Sequence, residues 1–311
     1  MTNKEQYHSF CCQHAEIPLF QQAWWMECVS GKNDWNVLLE LDNDNRIIAF
    51  LPYMIVRKYG FRLILQPLLS QCNGIWISPK ANDKEAIIQK FIHKIEALKP
   101  HWFMQFFPSS AQTDIWGNKN YIINQRHTYV IENLSNSSDS IFKSFSTAQQ
   151  RQIRKAGKNG INILEDSSAE DFYQYHSFCL AQRGEKNLNS PNVEITLCQE
   201  ALKRGLGTIL YAKDINNKTI AALFLVWDAT TAYYLIPTFD YDQKTSGASS
   251  LLVWHAIRLA KEKGLKRFDF EGSMQNSIAN FYKQFGSTKV CYPQIEKTNH
   301  PFIRLWKFFH Q

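Results

Sequence analysis

No run of apolar residues in this chain is long enough to cross a membrane: Ile220–Trp227 falls far short of the roughly 20 residues a spanning helix needs. The opening MTNKEQYHSF lacks the basic-then-apolar order of a secretion signal, so a soluble, cytoplasmic protein is expected. The 7 cysteines are scattered, without a C-x-x-C pair. No histidine cluster completes a zinc-ligand spacing, so no metal site is expected and the thiols read as reduced. Neither a Cys-His nor a Ser-His-Asp pattern points to a covalent nucleophile. Disorder is excluded as well, because 44% of residues are hydrophobic and 14% aromatic, enough to bury sizeable cores.

At 311 residues the chain has room for two ordinary domains. Its net charge of +7 is unevenly shared: 13 Lys/Arg stand against 12 Asp/Glu up to Leu134, and 22 against 16 beyond it. The excess is either ordinary solubilising lysine or the footprint of a phosphate-bearing partner on the second half. An opening helix is expected around Phe20–Val29. Strand-like runs at Trp35–Leu41 and Arg46–Val56 flank the polar centre Asp42–Asn45, a hairpin signal. A helix near Asp83–Leu98 and a buried strand at Trp102–Phe107 follow. The second half repeats this order with a helix near Ala169–Arg183, strands at Thr208–Lys213, Ile220–Trp227 and Thr231–Pro237, another helix, and a last short strand. The expected fold is therefore α/β, with mixed sheets in two domains. The Ser- and Asn-rich Asn133–Ser140 marks the boundary, giving domains at residues 1–134 and 135–292 and a tail at 293–311. In that tail Phe302, Ile303, Leu305, Trp306 and Phe309 would form an apolar face.

The stretch Gly247–Gly286 carries the chemistry. Leu251, Leu252, His255, Ala256, Leu259 and Ala260 recur at helical spacing, with Gly264 at the C-cap. Small residues before a helix let backbone N–H groups approach an anion, which the helix N-terminus also favours. Phe268 and Phe270 alternate with Asp269 and Glu271, which as a strand puts both carboxylates on one face. There either one is available to take a proton from an amine, or both are simply the polar side of the strand. Arg151, Arg154 and Lys155 share a helical face, either solvated or turned to an anionic ligand.

In order, Gln150-Arg151-Gln152-Ile153-Arg154-Lys155-Ala156 with Asn159-Gly160-Ile161, Ser246-Gly247-Ala248, Trp254, Phe268-Asp269-Phe270-Glu271-Gly272 and Tyr282-Lys283-Gln284-Phe285-Gly286 resemble the FemAB/FemX group and related GNAT-type acyltransferases. The resemblance spans Phe145–Tyr292. It implies two tandem GNAT-like domains, the first on the acceptor side and the second catalytic, with the tail returning to the first. It also implies an acyl-CoA co-substrate, acetyl-CoA in the simplest case, cradled by Gln243, Lys244, Ser246, Gly247 and Ala248. Ser246 stands where the family's loop has a glycine, and a plain strand-to-helix turn with serine as N-cap is the alternative. By the same resemblance Tyr282 protonates the leaving thiolate of an acyl-CoA donor, Lys283 stabilises charge on the attacked ester in the tRNA-dependent branch, which has phenylalanine where this chain has Tyr282, and Arg151, Arg154 and Lys155 meet an anionic donor or substrate. Of the two carboxylates, Glu271 at the strand end is the preferred base over Asp269. The acceptor is then the amine of a small molecule, a sugar or a cell-envelope precursor. Two alternatives stand: an aminoacyl-tRNA-dependent transferase, or a fold of this kind that only binds a ligand. The long heptad segment of the tRNA-dependent branch is missing here, which favours acyl-CoA; no DNA partner is implied. Gly247→Val is expected to block the donor while leaving the free protein's melting temperature nearly unchanged.

Overall fold

The structure, a computed structural model, describes residues 1–272 and 274–309, apart from the side chains of Trp306, Phe308 and Phe309. The chain begins with α1 (Asn3–Gln13), α2 (Ala23–Ser30), β1 (Trp35–Leu41), β2 (Ile47–Lys58), β3 (Phe61–Leu65), β4 (Trp76–Ile77), α3 (Lys84–Ala97), β5 (Trp102–Phe106) and α4 (Thr113–Gly117). Next come β6 (Ile122–Ile131), α5 (Ser138–Ser144), α6 (Thr147–Lys158), β7 (Asn162–Asp166), α7 (Ala169–Ala181), α8 (Pro191–Lys203), β8 (Gly207–Lys213) and β9 (Thr219–Trp227). It closes with β10 (Thr231–Phe239), α9 (Ala248–Glu262), β11 (Arg267–Asp269), α10 (Asn276–Lys283), β12 (Thr288–Thr298) and α11 (Pro301–Phe309). Among the described residues no helix is long and apolar enough to cross a membrane.

Two compact units form, Met1–Arg126 with Cys291–Gln311, and His127–Val290. Asn133–Ser140, expected between domains, thus lies inside the second unit. Its polar residues serve turns and caps rather than a linker: Asn133 accepts from the Ser135 amide at 2.9 Å, and Ser137 caps α5 by accepting from the Ser140 amide at 3.2 Å. Leu134 is tied down by its own amide, which donates to the Lys266 carbonyl at 2.9 Å.

In the first unit β1, β2 and β3 are antiparallel neighbours, β5 runs parallel to β3, and β12 runs antiparallel to β5 from Gln294 opposite Phe106 to Thr298 opposite Trp102. The expected hairpin at Asp42–Asn45 is present. Asn45 takes the left-handed conformation at φ 60°, and Asp42 accepts from the amides of Asp44 and Arg46, both at 2.9 Å. Asparagine tolerates that conformation better than other side chains.

The parallel pairing of β3 with β5 covers only Leu63–Trp102 and Ile64–Phe103. Beyond it the two strands part, and the chain itself fills the gap. The Phe106 amide donates to the Gln66 side chain at 2.9 Å, and the Phe106 carbonyl accepts from the Asn73 amide at 3.0 Å. Gly74 lies so close to Phe107 that an added Cβ would sit 2.5 Å from its ring. Gln66, Asn73 and Gly74 thus bridge the parting of the two strands.

The closing helix belongs to the first unit. Of the residues expected on its apolar face, Ile303 is buried while Phe302 and Leu305 are exposed; the Trp306 and Phe309 side chains lie outside the described residues. Polar contacts hold it. Glu296, buried on β12, accepts from Trp102 Nε1 at 3.2 Å, from Asn124 Nδ2 at 3.0 Å and from Lys307 Nζ on α11. Lys307→Met would leave that carboxylate buried without its counter-charge, which typically costs about 3–5 kcal/mol. Thermal denaturation is expected to show a clearly lower melting temperature, and an unchanged one would mean that α11 adds nothing to the unit.

The second unit has the sheet order β6, β11, β10, β9, β8, β7. Neighbours are antiparallel except β10 and β11. β9 is buried from Ile220 to Trp227, as an all-apolar strand covered on both faces must be. The apolar stripe of α9 (Leu252, Val253, Ala256, Ile257 and Ala260) joins the same core as Phe268, Phe270 and Phe285. Gly264 follows the helix at φ 76°, the left-handed position that suits glycine after a C-cap. Both units therefore order their chain alike: three antiparallel strands, a helix, then a strand parallel to the third.

Candidate active site

The parallel pairing of β10 with β11 is also brief, covering Thr231–Arg267, Ala232–Phe268 and Tyr233–Asp269. β10 then slips its register against β9 between Tyr234 and Ile236. A bulge of this kind bends a strand. Among the described residues no strand pairs with β10 on the β11 side beyond Tyr233. The first unit bridges the corresponding parting with Gln66 and Asn73.

β11 ends at Asp269, and this corrects the expected alternation. Asp269 is buried, not on a polar outer face. It accepts from the Thr128 hydroxyl on β6 and from the Glu271 amide at 2.8 Å. Glu271 sits at φ 64° and Gly272 at φ 69°, so the chain has left the strand and the two carboxylates do not share a strand face. Gly272 must be glycine, since a Cβ there would lie 2.3 Å from the His127 carbonyl. A left-handed non-glycine residue costs of order 1–3 kcal/mol and persists only where its surroundings fix it; here the Asp269 carboxylate does so.

Glu271 is partly exposed as a residue, but its Oε1 is enclosed and accepts no hydrogen bond among the described residues. Burial, and then the nearby Asp269, push its carboxyl well above the ordinary carboxylate value. Tyr282 is buried in α10 with its ring stacked on Phe270 at 4.8 Å and edge-on to Tyr234 at 6.0 Å. Burial first, and then Glu271 and Asp269, raise its phenol, so the group stays protonated and able to donate. Lys283 is exposed, its ammonium 5.7 Å from the centre of the Tyr129 ring. No sequence pattern marks Tyr129 and Tyr234, which complete this aromatic wall from β6 and β10, because strand pairing alone brings them there.

The predicted donor loop follows β10. Residues 241–245 are exposed, and Gly247 and Ala248 are buried. Gln243 closes a tight turn by accepting from the Ser246 amide at 3.0 Å, and Lys244 lies over the Tyr241 ring at 4.4 Å. Ser246 is not the N-cap of α9. That residue is Gly247, at φ 83° and with no side-chain cap; Ser246 accepts from the Ala248 amide at 3.2 Å. The amides of Gly247, Ser249 and Ser250 donate to no acceptor among the described residues. An uncapped N-terminus on a helix of 15 residues presents these donors together with the positive end of the helix dipole.

Gly247 has a reason beyond ligand approach. An added Cβ would lie 2.5 Å from the Gln152 carbonyl on α6, and its φ excludes branched side chains. The expectation that Gly247→Val spares the free protein is therefore corrected. The variant should melt well below wild type, by an overpacking penalty of typically 1–3 kcal/mol together with the backbone strain; an unchanged melting curve would contradict the α6 contact.

Of the basic residues on α6, Lys155 reaches the loop, donating to the Thr245 carbonyl at 2.9 Å. Arg154 instead lies over Phe142 at 5.4 Å and donates to Gln150 at 3.3 Å, while Arg151 is exposed. None of the three forms an ion pair among the described residues. Gln149 of α6 binds the other side of the helix start, accepting from the Ser250 hydroxyl at 2.6 Å. No group of three or more His, Cys, Asp or Glu among the described residues is placed to hold a metal ion. His255, on α9, has its basicity lowered first by burial and then by Arg258, as befits a packed side chain.

Residues 143–284 match the family model of the GNAT acetyltransferase domain. No curated protein sequence matches the chain. Among solved structures, FemX superposes with a TM-score of 0.71 at 12% identity, over 100% of this chain and 99% of that one. A tandem GNAT protein from the clavulanic acid biosynthesis pathway gives 0.59 at 8% identity, over 96% and 95%. L-PGS from Bacillus licheniformis gives 0.58 at 10% identity, over 96% and 91%. At these identities the likeness to each structure is one of fold.

Proposed function

We propose that this chain, whose residues 143–284 match the GNAT acetyltransferase domain and whose fold is that of FemX, is an N-acyltransferase that uses acyl-CoA. The acyl group, acetyl in the simplest case, passes to an amine of a small molecule, a sugar or a cell-envelope precursor in the cytoplasm. The observation that carries this reading is the uncapped start of α9, with its unclaimed amides at Gly247, Ser249 and Ser250 and with Lys155 and Lys244 beside it. Backbone amides at a helix start suit a pyrophosphate. Gln243, Ser246 and Ala248 shape the loop that presents them. The first unit, whose own strand parting is bridged by Gln66 and Asn73, is assigned to acceptor recognition.

In the proposed reaction the acceptor nitrogen attacks the thioester carbonyl carbon and loses a proton to Glu271. Asp269 holds the Glu271 turn and is a positioning group rather than the base. As the tetrahedral intermediate collapses, the C–S bond breaks and Tyr282 gives its proton to the departing thiolate. Both residues suit their tasks: a carboxyl raised by burial is a stronger base once ionised, and a phenol kept neutral is a proton donor.

The second reading, an aminoacyl-tRNA donor, is favoured by Arg151 and Arg154 on an α6 without a single acidic residue, and by the exposed Lys283. Thermal denaturation with CoA, acetyl-CoA and a charged tRNA separates the two. A ligand that binds only the native state raises stability by about 2.7 kcal/mol at a hundred times its Kd. Acetyl-CoA and CoA are expected to shift the melting curve; a shift with tRNA alone would replace the first reading by the second.

A further inference from the structure

Asp240, just after β10, has a carboxyl that is almost wholly buried, although the next five residues are exposed. It accepts from Gln182 Nε2 at 3.0 Å and from the Asp242 amide at 3.1 Å, and it pairs with Lys218 Nζ at 3.0 Å. Gln182, the C-cap of α7, returns the contact: its Oε1 accepts from the Tyr241 amide at 3.1 Å. The Asp240 amide itself donates to the Ile220 carbonyl of β9 at 3.0 Å. The first turn of the loop is thus tied to α7, to the β8–β9 turn and to β9. Its last residue, Gly247, is wedged against α6.

Burying a carboxylate at a surface turn costs free energy unless its partners are arranged to receive it. Burial alone would raise the Asp240 carboxyl, yet Gln182, Lys218 and the Asp242 amide together hold it below its ordinary value. For stability alone, an apolar residue at such a site would often do as well. What a buried acceptor adds is direction: it fixes where the backbone of Tyr241 and Asp242 points, and so where the loop leaves the sheet.

We propose that Asp240 and Gln182 are positioning residues that hold the segment 241–247 in its donor-binding form, a role that rests on the acyl-CoA reading above. Neither touches the donor. Their contribution is to have the loop ordered before the donor arrives, so that binding does not bear that ordering cost. Removing Gln182 deletes both of its hydrogen bonds while the Asp240–Lys218 pair and the core remain.

The test compares wild type with Gln182→Ala and Gln182→Glu, the latter matching the native side chain in size but setting a second carboxylate against Asp240. Hydrogen exchange of the 241–247 amides reads loop order without any ligand, and calorimetric titration with CoA reads affinity. Hydrogen bonds to charged groups are worth enough that both variants should exchange these amides about tenfold faster or more, and bind CoA correspondingly more weakly. The exchange of β9 and α9 should stay near wild type, while the free protein should melt somewhat lower, since a hydrogen bond to a buried carboxylate is lost. Unchanged exchange in both variants would overturn the proposal, as would faster exchange with wild-type CoA affinity. Faster exchange in a protein whose wild type binds no CoA would confirm the clamp and contradict the donor reading instead.

Discussion

Glu271→Gln is expected to cut turnover by about a hundred- to ten-thousand-fold, the usual contribution of a general base, while making the protein more stable at neutral and alkaline pH. Burial and Asp269 raise the native carboxyl above its ordinary value, so the folded chain holds this proton to higher pH than the unfolded chain does. Stability then falls as pH rises, starting at the unfolded carboxylate value of about 4.3 and continuing through the higher folded value. Glutamine cannot ionise, and the variant should lose this decline. In the wild type, kcat/KM should rise with pH over the same upper range, since only ionised Glu271 takes the proton. Melting curves across pH together with a pH–rate profile check both halves. Full activity in the variant with an unaltered pH profile would remove Glu271 from the chemistry.

At Tyr282 the two donor readings diverge. Tyr282→Phe keeps the ring against Phe270 and Tyr234 and removes only the hydroxyl. If the hydroxyl protonates a thiolate, kcat should drop about a hundredfold or more with donor affinity nearly intact, the signature of an interaction made late in the reaction. With an aminoacyl ester as donor the same change should be almost silent, because the resemblance to the tRNA-dependent branch places phenylalanine, without a hydroxyl, at this position. Lys283→Met is then the damaging variant. It removes the charge opposite a developing oxyanion, a loss of typically about 3–4 kcal/mol, or a hundred- to a thousand-fold in rate. Steady-state kinetics of the two variants decides between them; if neither slows the reaction, α10 contributes packing and nothing more.

Local signals read well in this chain. The helix α9 with its terminal Gly264 and the Asp42–Asn45 turn are set by residues close in sequence and appear as expected. The buried stripe of α9 is rotated, however: Val253 and Ile257 are buried, while Leu251, His255 and Leu259 are only half-buried. The site is less legible because long-range pairing overrides local pattern there. Phe268-Asp269-Phe270-Glu271 alternates as a strand should, yet β11 stops at Asp269 once its partner β10 veers off. Gly272 and Gly247 look like turn or phosphate glycines; their strictest demand comes from β6 and α6, which lie far off in sequence. The polar Asn133–Ser140 reads as a linker but caps a helix of the second unit. Asp240 and Gln182, 58 residues apart, carry no pattern that marks them as partners.

Calorimetric titration of CoA into the purified full chain tests the central claim most directly. The amides at the start of α9 offer one site in the second unit, and Gln66 and Asn73 bridge the corresponding parting in the first. The expected result is saturable binding of one CoA per chain, lost or strongly weakened when Lys155 and Lys244 are both replaced by methionine. Absence of binding, or two equivalent sites per chain, would contradict it.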